Sequence, residues 1–344
     1  MNYIDLRSDT VTKPTNEMRH AMASAIVGDD VYQDDPTTTR LEALSAEITG
    51  FEASLFVPSG TMANQLAIMT HTKRGDEIIV GQNSHIIAHE VGGAAILANV
   101  GYRIVTNPDD TISGDDINAA IRDDDIHYPD TGLVCLENAL SNGTVVSLEK
   151  MKDAYTAAKG HNLPVHLDGA RLFNAAIYLN ADPKEITRYS DSAMFALSKG
   201  LCSPVGSMLC GSAAFIKKAR KYRKLLGGGM RQVGILAASG IISLEKMTKR
   251  LHQDHENAGY LAEHLSKIPH ITVDLPSVHI NMVFFKITKP AFNHAAFTAY
   301  LLEKGIKSNP GENGEYRFVT HNDVTEENID YVISLLREHL NGRD

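Results

Sequence analysis

From residue 54 to about residue 215, short apolar runs alternate with helical segments, and this rhythm restricts the fold more than any other property of the chain. Residues 54–58, 77–80, 94–100, 103–105, 132–137, 165–168 and 192–197 read as strands. Helical stretches stand between most of them, for example 115–122 and 147–159. Strands that alternate with helices build βαβ units, hence an α/β fold with a mainly parallel central sheet flanked by helices. In such sheets ligands bind at the carboxyl ends of the strands, so polar residues there are the functional candidates.

Two strand ends stand out. The run 192–197 delivers Lys199 to a Ser198-Lys199-Gly200 turn, and burying an ammonium without a partner is costly. Desolvation instead lowers the amine pKa until it serves as a nucleophile or Schiff-base former. Thirty-one residues upstream, Val165-His166-Leu167 ends in Asp168-Gly169-Ala170-Arg171. Pyridoxal phosphate (PLP) chemistry requires that pair: a lysine for the aldehyde and an acid for the ring nitrogen.

A net charge of −9 argues against nucleic acid and anionic membranes as partners, so positive charge must be concentrated where an anion binds. One anion site is suggested at Ser59-Gly60-Thr61, where a strand turns into a helix with free N–H groups and a hydroxyl. His85 follows strand 77–80, placed to cap or to stack on a ring. Tyr32 lies in a loop with four aspartates, 28–36. Cys135, Cys202 and Cys210 lack metal-site spacing, and no metal is expected. The amino-terminal residues carry no apolar signal core and no run reaches transmembrane length, which predicts a cytoplasmic protein without membrane contact.

Three regions are expected: an amino-terminal arm and helix (1–30), a large cofactor domain (31–248) and a smaller α+β domain (249–344) that packs with the arm. The arm's helix is placed at 15–27. One long helix is predicted from 232 to 268, its first half apolar enough for a core or subunit interface.

Taken in order, several motifs resemble the low-specificity L-threonine aldolases, PLP enzymes with the aspartate-aminotransferase fold (fold type I) in the β-eliminating lyase/threonine aldolase family. They are Leu6-Arg7-Ser8-Asp9-Thr10, Gly28-Asp29-Asp30-Val31-Tyr32, Gly60-Thr61, His85, Leu136-Glu137-Asn138, Asp168-Gly169-Ala170-Arg171, Leu197-Ser198-Lys199-Gly200, Gly227-Gly228-Gly229-Met230-Arg231-Gln232 and Arg317-Phe318-Val319-Thr320-His321. The match runs from residue 4 to about 330, with a departure at Ala139-Leu140-Ser141.

The resemblance implies a role for each position. Lys199 would carry PLP, Asp168 would pair with its ring nitrogen, and His85 would stack on its face. Gly60 and Thr61 would bind the phosphate, Arg231 would reach in from a second subunit, and Arg171 would also border the cofactor. Ser8, Arg171 and Arg317 would hold the substrate carboxylate. His127 would stand near the β-hydroxyl, and Tyr32 would close the pocket. Whether His127, His85 through water or another group takes the hydroxyl proton is open at this stage. The implied reaction is aldol cleavage of L-threonine and L-allo-threonine to glycine and acetaldehyde in a homo-oligomer, a dimer of dimers with shared sites. A β-eliminating PLP lyase or an amino-acid racemase is the alternative.

Overall fold

A computed structural model describes residues 3–341. The main sheet has seven strands: β1 (Ala53–Val57), β2 (Glu77–Gly81), β3 (Gly101–Val105), β4 (Thr131–Glu137), β5 (Val165–Asp168), β6 (Ser192–Ala196) and β7 (Ser207–Gly211). Their order is β1-β7-β6-β5-β4-β2-β3. From β6 to β3 the neighbours run parallel, while β7 is antiparallel to both β6 and β1. Every residue of β2, β5 and β6 is buried, as expected when helices cover both faces of a parallel sheet. Among those helices are α1 (Gly60–His71), α2 (Leu172–Leu179), α3 (Ala213–Leu225) and α4 (Gly234–Glu245).

A second core belongs to a three-stranded antiparallel sheet of β8 (Ile271–Val273), β9 (Met282–Ile287) and β10 (Glu315–Val319), ordered β10-β9-β8. Helices α5 (Leu251–Ser266) and α6 (Glu326–Asn341) pack there. Leu6 from the amino-terminal arm is buried in this core with Phe285, Phe318 and Leu336. The arm is stitched in by its backbone: Ile4–Asp5 pair in parallel with Ile306–Lys307, and the Val319 N–H donates to Leu6 C=O.

Three sequence expectations change. The helix expected over 232–268 is broken after α4 by a tight turn at Met247–Arg250. Met247 and Leu251 belong to the main core, whereas Leu261 and Leu265 belong to the second, and one straight axis does not serve both. Residues 94–98 form a single wide helical turn rather than a strand, because Ala94 and Ala98 face inward one turn apart while Ile96 stays exposed. The arm's helix ends at Ala23, four residues before Val27. No helix among the described residues is long and apolar enough to cross a membrane.

Candidate active site

Lys199 lies three residues beyond the wholly buried strand β6, in a turn closed by the Cys202 N–H donating to Lys199 C=O at 2.9 Å. Burial pushes its amine down to about 8, and the Arg171 charge pushes the same way against the pull of Asp9, Asp168 and Glu137. Roughly one such amine in ten is neutral at pH 7, far more than for a solvated lysine.

Asp168 ends the adjacent strand β5, which pairs it with Met194 of β6. Its Oδ1 accepts from the Ala170 N–H at 3.0 Å and its Oδ2 from Asn64 Nδ2 at 2.7 Å. The same Asn64 nitrogen donates to Glu90 Oε1 at 2.7 Å, and Gln65 Nε2 donates to Glu90 Oε2 at 2.6 Å. His85 Nδ1 meets Glu90 Oε1 at 3.0 Å, and that hydrogen bond raises the imidazole pKa. The His85 backbone N–H donates to Glu137 Oε2 at 2.8 Å. Burial, followed by the Asp168 charge, pushes the Glu137 carboxyl up to about 7. Ligand atoms of His85, Glu90 and Asp168 lie within 4.8 Å of one another, but the two Asn64 N–H groups are turned onto both carboxylates, a hydrogen-bonded arrangement rather than a cation cage.

Beside the lysine, Arg171 Nε and Nη2 grip the two oxygens of Asp9 at 2.8 and 2.6 Å. Asp9 is fully buried and also accepts from Asn281 Nδ2 at 3.2 Å. Burial alone would raise the Asp9 pKa; Arg171 overrides it and holds the carboxyl well below the usual range. Ser8 caps the same turn by accepting from the Thr10 N–H, and Arg317 Nη2 donates to Arg7 C=O at 3.2 Å. Burial, with Arg171 nearby, lowers the Arg317 pKa. The arm, α2 and β10 thus bring Ser8, Arg171 and Arg317 together.

At the start of α1, Ser59 satisfies the N–H groups of Met62 and Ala63, leaving those of Gly60 and Thr61 without an acceptor among the described residues. The fully buried Ser207 Oγ, at the beginning of β7, has no hydrogen-bond partner there either. A Cβ on Gly60 would approach this oxygen to 3.7 Å and the Met194 methyl to 2.9 Å, so glycine keeps the corner open without displacing Met194. Two free amides, an orphaned hydroxyl and the Thr61 hydroxyl at a helix N-terminus fit a phosphate group. Lys199 and Asp168 fit the ring it belongs to, so the residues present fit PLP.

Three expected site residues are not brought here. His127 precedes β4 at the sheet's opposite end, is 77% exposed and pairs with Asp125 at 2.6 Å. A seven-residue strand, about 20 Å long, separates it from Glu137, because a histidine before a parallel strand cannot also stand beyond its carboxyl end. Arg231 is 57% exposed and bonds Asp29 at 2.9 Å. Tyr32, 77% exposed, is the third, and both loops lie against each other through the Asp30 N–H and Arg231 C=O. A cleft of about 580 Å³ between the two sheets is lined by Ser84, His89, Glu137, Phe284 and Arg317. Arg317 is the one residue of the expected set on its wall.

Sequence reasoning overlooks Asp9, Asn64, Glu90, His166 and Ser207 as site residues. One signal is available for His166: it lies two residues before Asp168, on the same face of a strand with no exposed position. Asp9 and Asn64 act through partners far away in sequence, 104 residues in the case of Asn64 and Asp168.

A lysine and an acid on adjacent strand ends, facing a phosphate corner on this sheet order, are the arrangement of fold type I PLP enzymes. The model of the beta-eliminating lyase family matches residues 5–288, and the chain belongs to that family. It is 44% identical over 338 residues to the low specificity L-threonine aldolase of Escherichia coli K12, covering 98% of this chain and 99% of that protein. A probable low-specificity L-threonine aldolase 2 of Arabidopsis thaliana is 43% identical, with 96% and 95% covered. The fold is shared with a putative L-allo-threonine aldolase of Listeria monocytogenes (TM-score 0.83, 20% identity, 98% of this chain and 97% of that one). A Leishmania major threonine aldolase gives a TM-score of 0.82 at 21% identity, with 98% and 99% covered.

Proposed function

We propose that this chain cleaves the Cα–Cβ bond of L-threonine and L-allo-threonine, releasing acetaldehyde and glycine, with PLP held by Lys199. The observation that carries the reading is the placement of Lys199 beyond the buried strand β6, beside Asp168 on the adjacent strand end and the Asp9–Arg171 pair, where burial lowers its pKa. When bound, PLP supplies an electron sink conjugated to the substrate's amino nitrogen.

The chain's own residues do the rest. Lys199 offers a neutral amine for the cofactor's aldehyde, Asp168 an anionic oxygen for its ring nitrogen, and Gly60, Thr61 and Ser207 donors for its phosphate. Ser8, Arg317 and the remaining edge of Arg171 bind the substrate carboxylate, which orients the Cα–Cβ bond. His85 keeps Nδ1 on Glu90 and leaves Nε2 to accept the β-hydroxyl proton. As that proton leaves, Cα–Cβ breaks, the hydroxyl carbon departs as an aldehyde, and Cα takes up a proton to become glycine.

Two side chains reach past one protomer. His127 is exposed at the opposite end of the sheet and Arg231 is exposed on its loop, so they would serve a neighbour's site in a homo-oligomer, in which case the cleft is completed on association. A cytoplasmic setting fits the acidic composition. The competing reading is β-elimination, which would convert threonine to a 2-oxo acid and ammonia. Supplying PLP-loaded enzyme with the four threonine stereoisomers separates the two. Acetaldehyde and glycine from both L isomers, and from neither D isomer, is expected; a 2-oxo acid as the main product would reject the proposal.

A further inference from the structure

Behind Asp168, away from the substrate side, runs an unbroken line of buried polar groups. Asn64 Oδ1 is 3.0 Å from His166 Nε2; His166 Nδ1 is 2.9 Å from Ser192 Oγ; Ser192 Oγ is 2.8 Å from His71 Nε2. Asn64, His166 and Ser192 are at most 1% exposed, and the His71 ring stacks on Phe215 at 4.6 Å. Such polar residues are not needed to fill a sheet interior, and each costs stability unless satisfied.

The proton positions follow from counting donors. Both Asn64 N–H groups face carboxylates, which only accept, so its oxygen must receive a proton from His166 Nε2. His166 then has an acceptor at Nδ1, which requires Ser192 to donate there. The Ser192 oxygen, its proton committed, must accept from His71 Nε2. Every donor therefore points the same way, toward Asp168 and Glu90. Burial pushes His166 to about 4 and His71 to about 3, so both rings are neutral and each carries the single N–H that this order needs. Aligned donors polarise one another, and the summed effect falls on the last link, the Asn64 amide.

We propose that His71, Ser192 and His166 form a one-way hydrogen-bond chain that, through Asn64, fixes the Asp168 carboxylate against the cofactor's ring nitrogen and strengthens cofactor binding. They are positioning residues, since none touches substrate or cofactor. The idea rests on the PLP reading given above.

The test measures the dissociation constant of PLP for apoprotein, by titration and ultrafiltration, together with apoprotein unfolding temperature. His166→Phe removes the proton that Asn64 needs and should weaken PLP binding at least about tenfold. His166→Gln presents an amide N–H in place of Nε2–H and should recover binding to within about threefold of wild type. Ser192→Ala, a small change one link further out, should weaken binding about three- to tenfold while the apoprotein unfolds near the wild-type temperature. Wild-type affinity in both His166→Phe and Ser192→Ala overturns the chain. So does a His166→Gln protein as weak as His166→Phe, because ring packing would then be the cause. If wild-type apoprotein itself ignores PLP, the underlying cofactor reading fails instead.

Discussion

The carboxyl edge of the main sheet and the loops at its periphery carry residues of the same chemical types in opposite conditions. At the edge, Asp168 is buried and Lys199, Arg171 and Glu137 are largely enclosed, and all but Lys199 are hydrogen-bonded to a specific neighbour before any ligand arrives. In the loops, His127, Arg231 and Tyr32 are between 57% and 77% exposed; His127 meets Asp125 and Arg231 meets Asp29, both at the surface. A charge that is buried must be positioned by the fold, because an unpaired one is too costly to keep. An exposed side chain, even in a surface ion pair, is held only weakly until another surface covers it. The difference separates what one chain can build alone from what association must supply.

The sharpest way to break that contrast is at Lys199. Lys199→Ala should abolish turnover and prevent borohydride from fixing PLP to the protein, with the far-ultraviolet circular dichroism unchanged. Residual covalent cofactor in this variant would show that the edge is not the reactive centre. Next in size is Asp9→Ala, which leaves the buried Arg171 uncompensated and should cost about 3–5 kcal/mol in denaturant unfolding. The KM for L-threonine should rise with it, since the carboxylate receptor loses its anchor.

A pH titration tests the same edge more gently. The Lys199 pKa is lowered, so its reactive neutral form gains as pH rises through about 8 and saturates above that. The rate at which apoprotein captures PLP, followed by absorbance, should climb from pH 6 to 8 and level off near 9. A rate still rising steeply beyond pH 10 would mean an ordinary, solvated lysine.

The smallest structural effect is expected in the loops. His127→Ala and Arg231→Ala should each change folding stability by no more than about 0.5 kcal/mol. Activity should nevertheless fall, and mixing His127→Ala with Lys199→Ala subunits should restore part of it, because some sites then draw one intact residue from each chain. Full activity in both loop variants would confine the whole site to a single protomer.

How far the sequence alone reaches follows the same division. The sheet is legible because its strands are short, apolar and regularly separated. Lys199 and Asp168 are legible because a polar residue that ends a buried run must either reach solvent or serve a ligand. Asp9 reads only as part of an extended arm; its meaning depends on Arg171, 162 residues away. Asn64 looks like one more residue in the first turns of α1, since helical periodicity says nothing about two carboxylates arriving from elsewhere in the chain. The 3.6-residue pattern also runs on smoothly through Met247, because periodicity cannot register that the core it serves has changed.

The pairing of Ile4–Asp5 with Ile306–Lys307 has a consequence for the order in which the protein can be made. The cofactor-binding strands, residues 53 to 211, can pair as soon as they leave the ribosome, since domains generally form as units during synthesis. Ser8 and Asp9 emerge first of all the site residues, yet the arm that carries them is not seated until Ile306–Lys307 and Val319, about three hundred residues later, have been translated. The earliest part of the active site to be synthesised is therefore the last to be installed. A nascent chain stalled before residue 306 would possess the lysine and the phosphate corner but lack Arg317 and the seat that holds Ser8 for the amino acid's carboxylate.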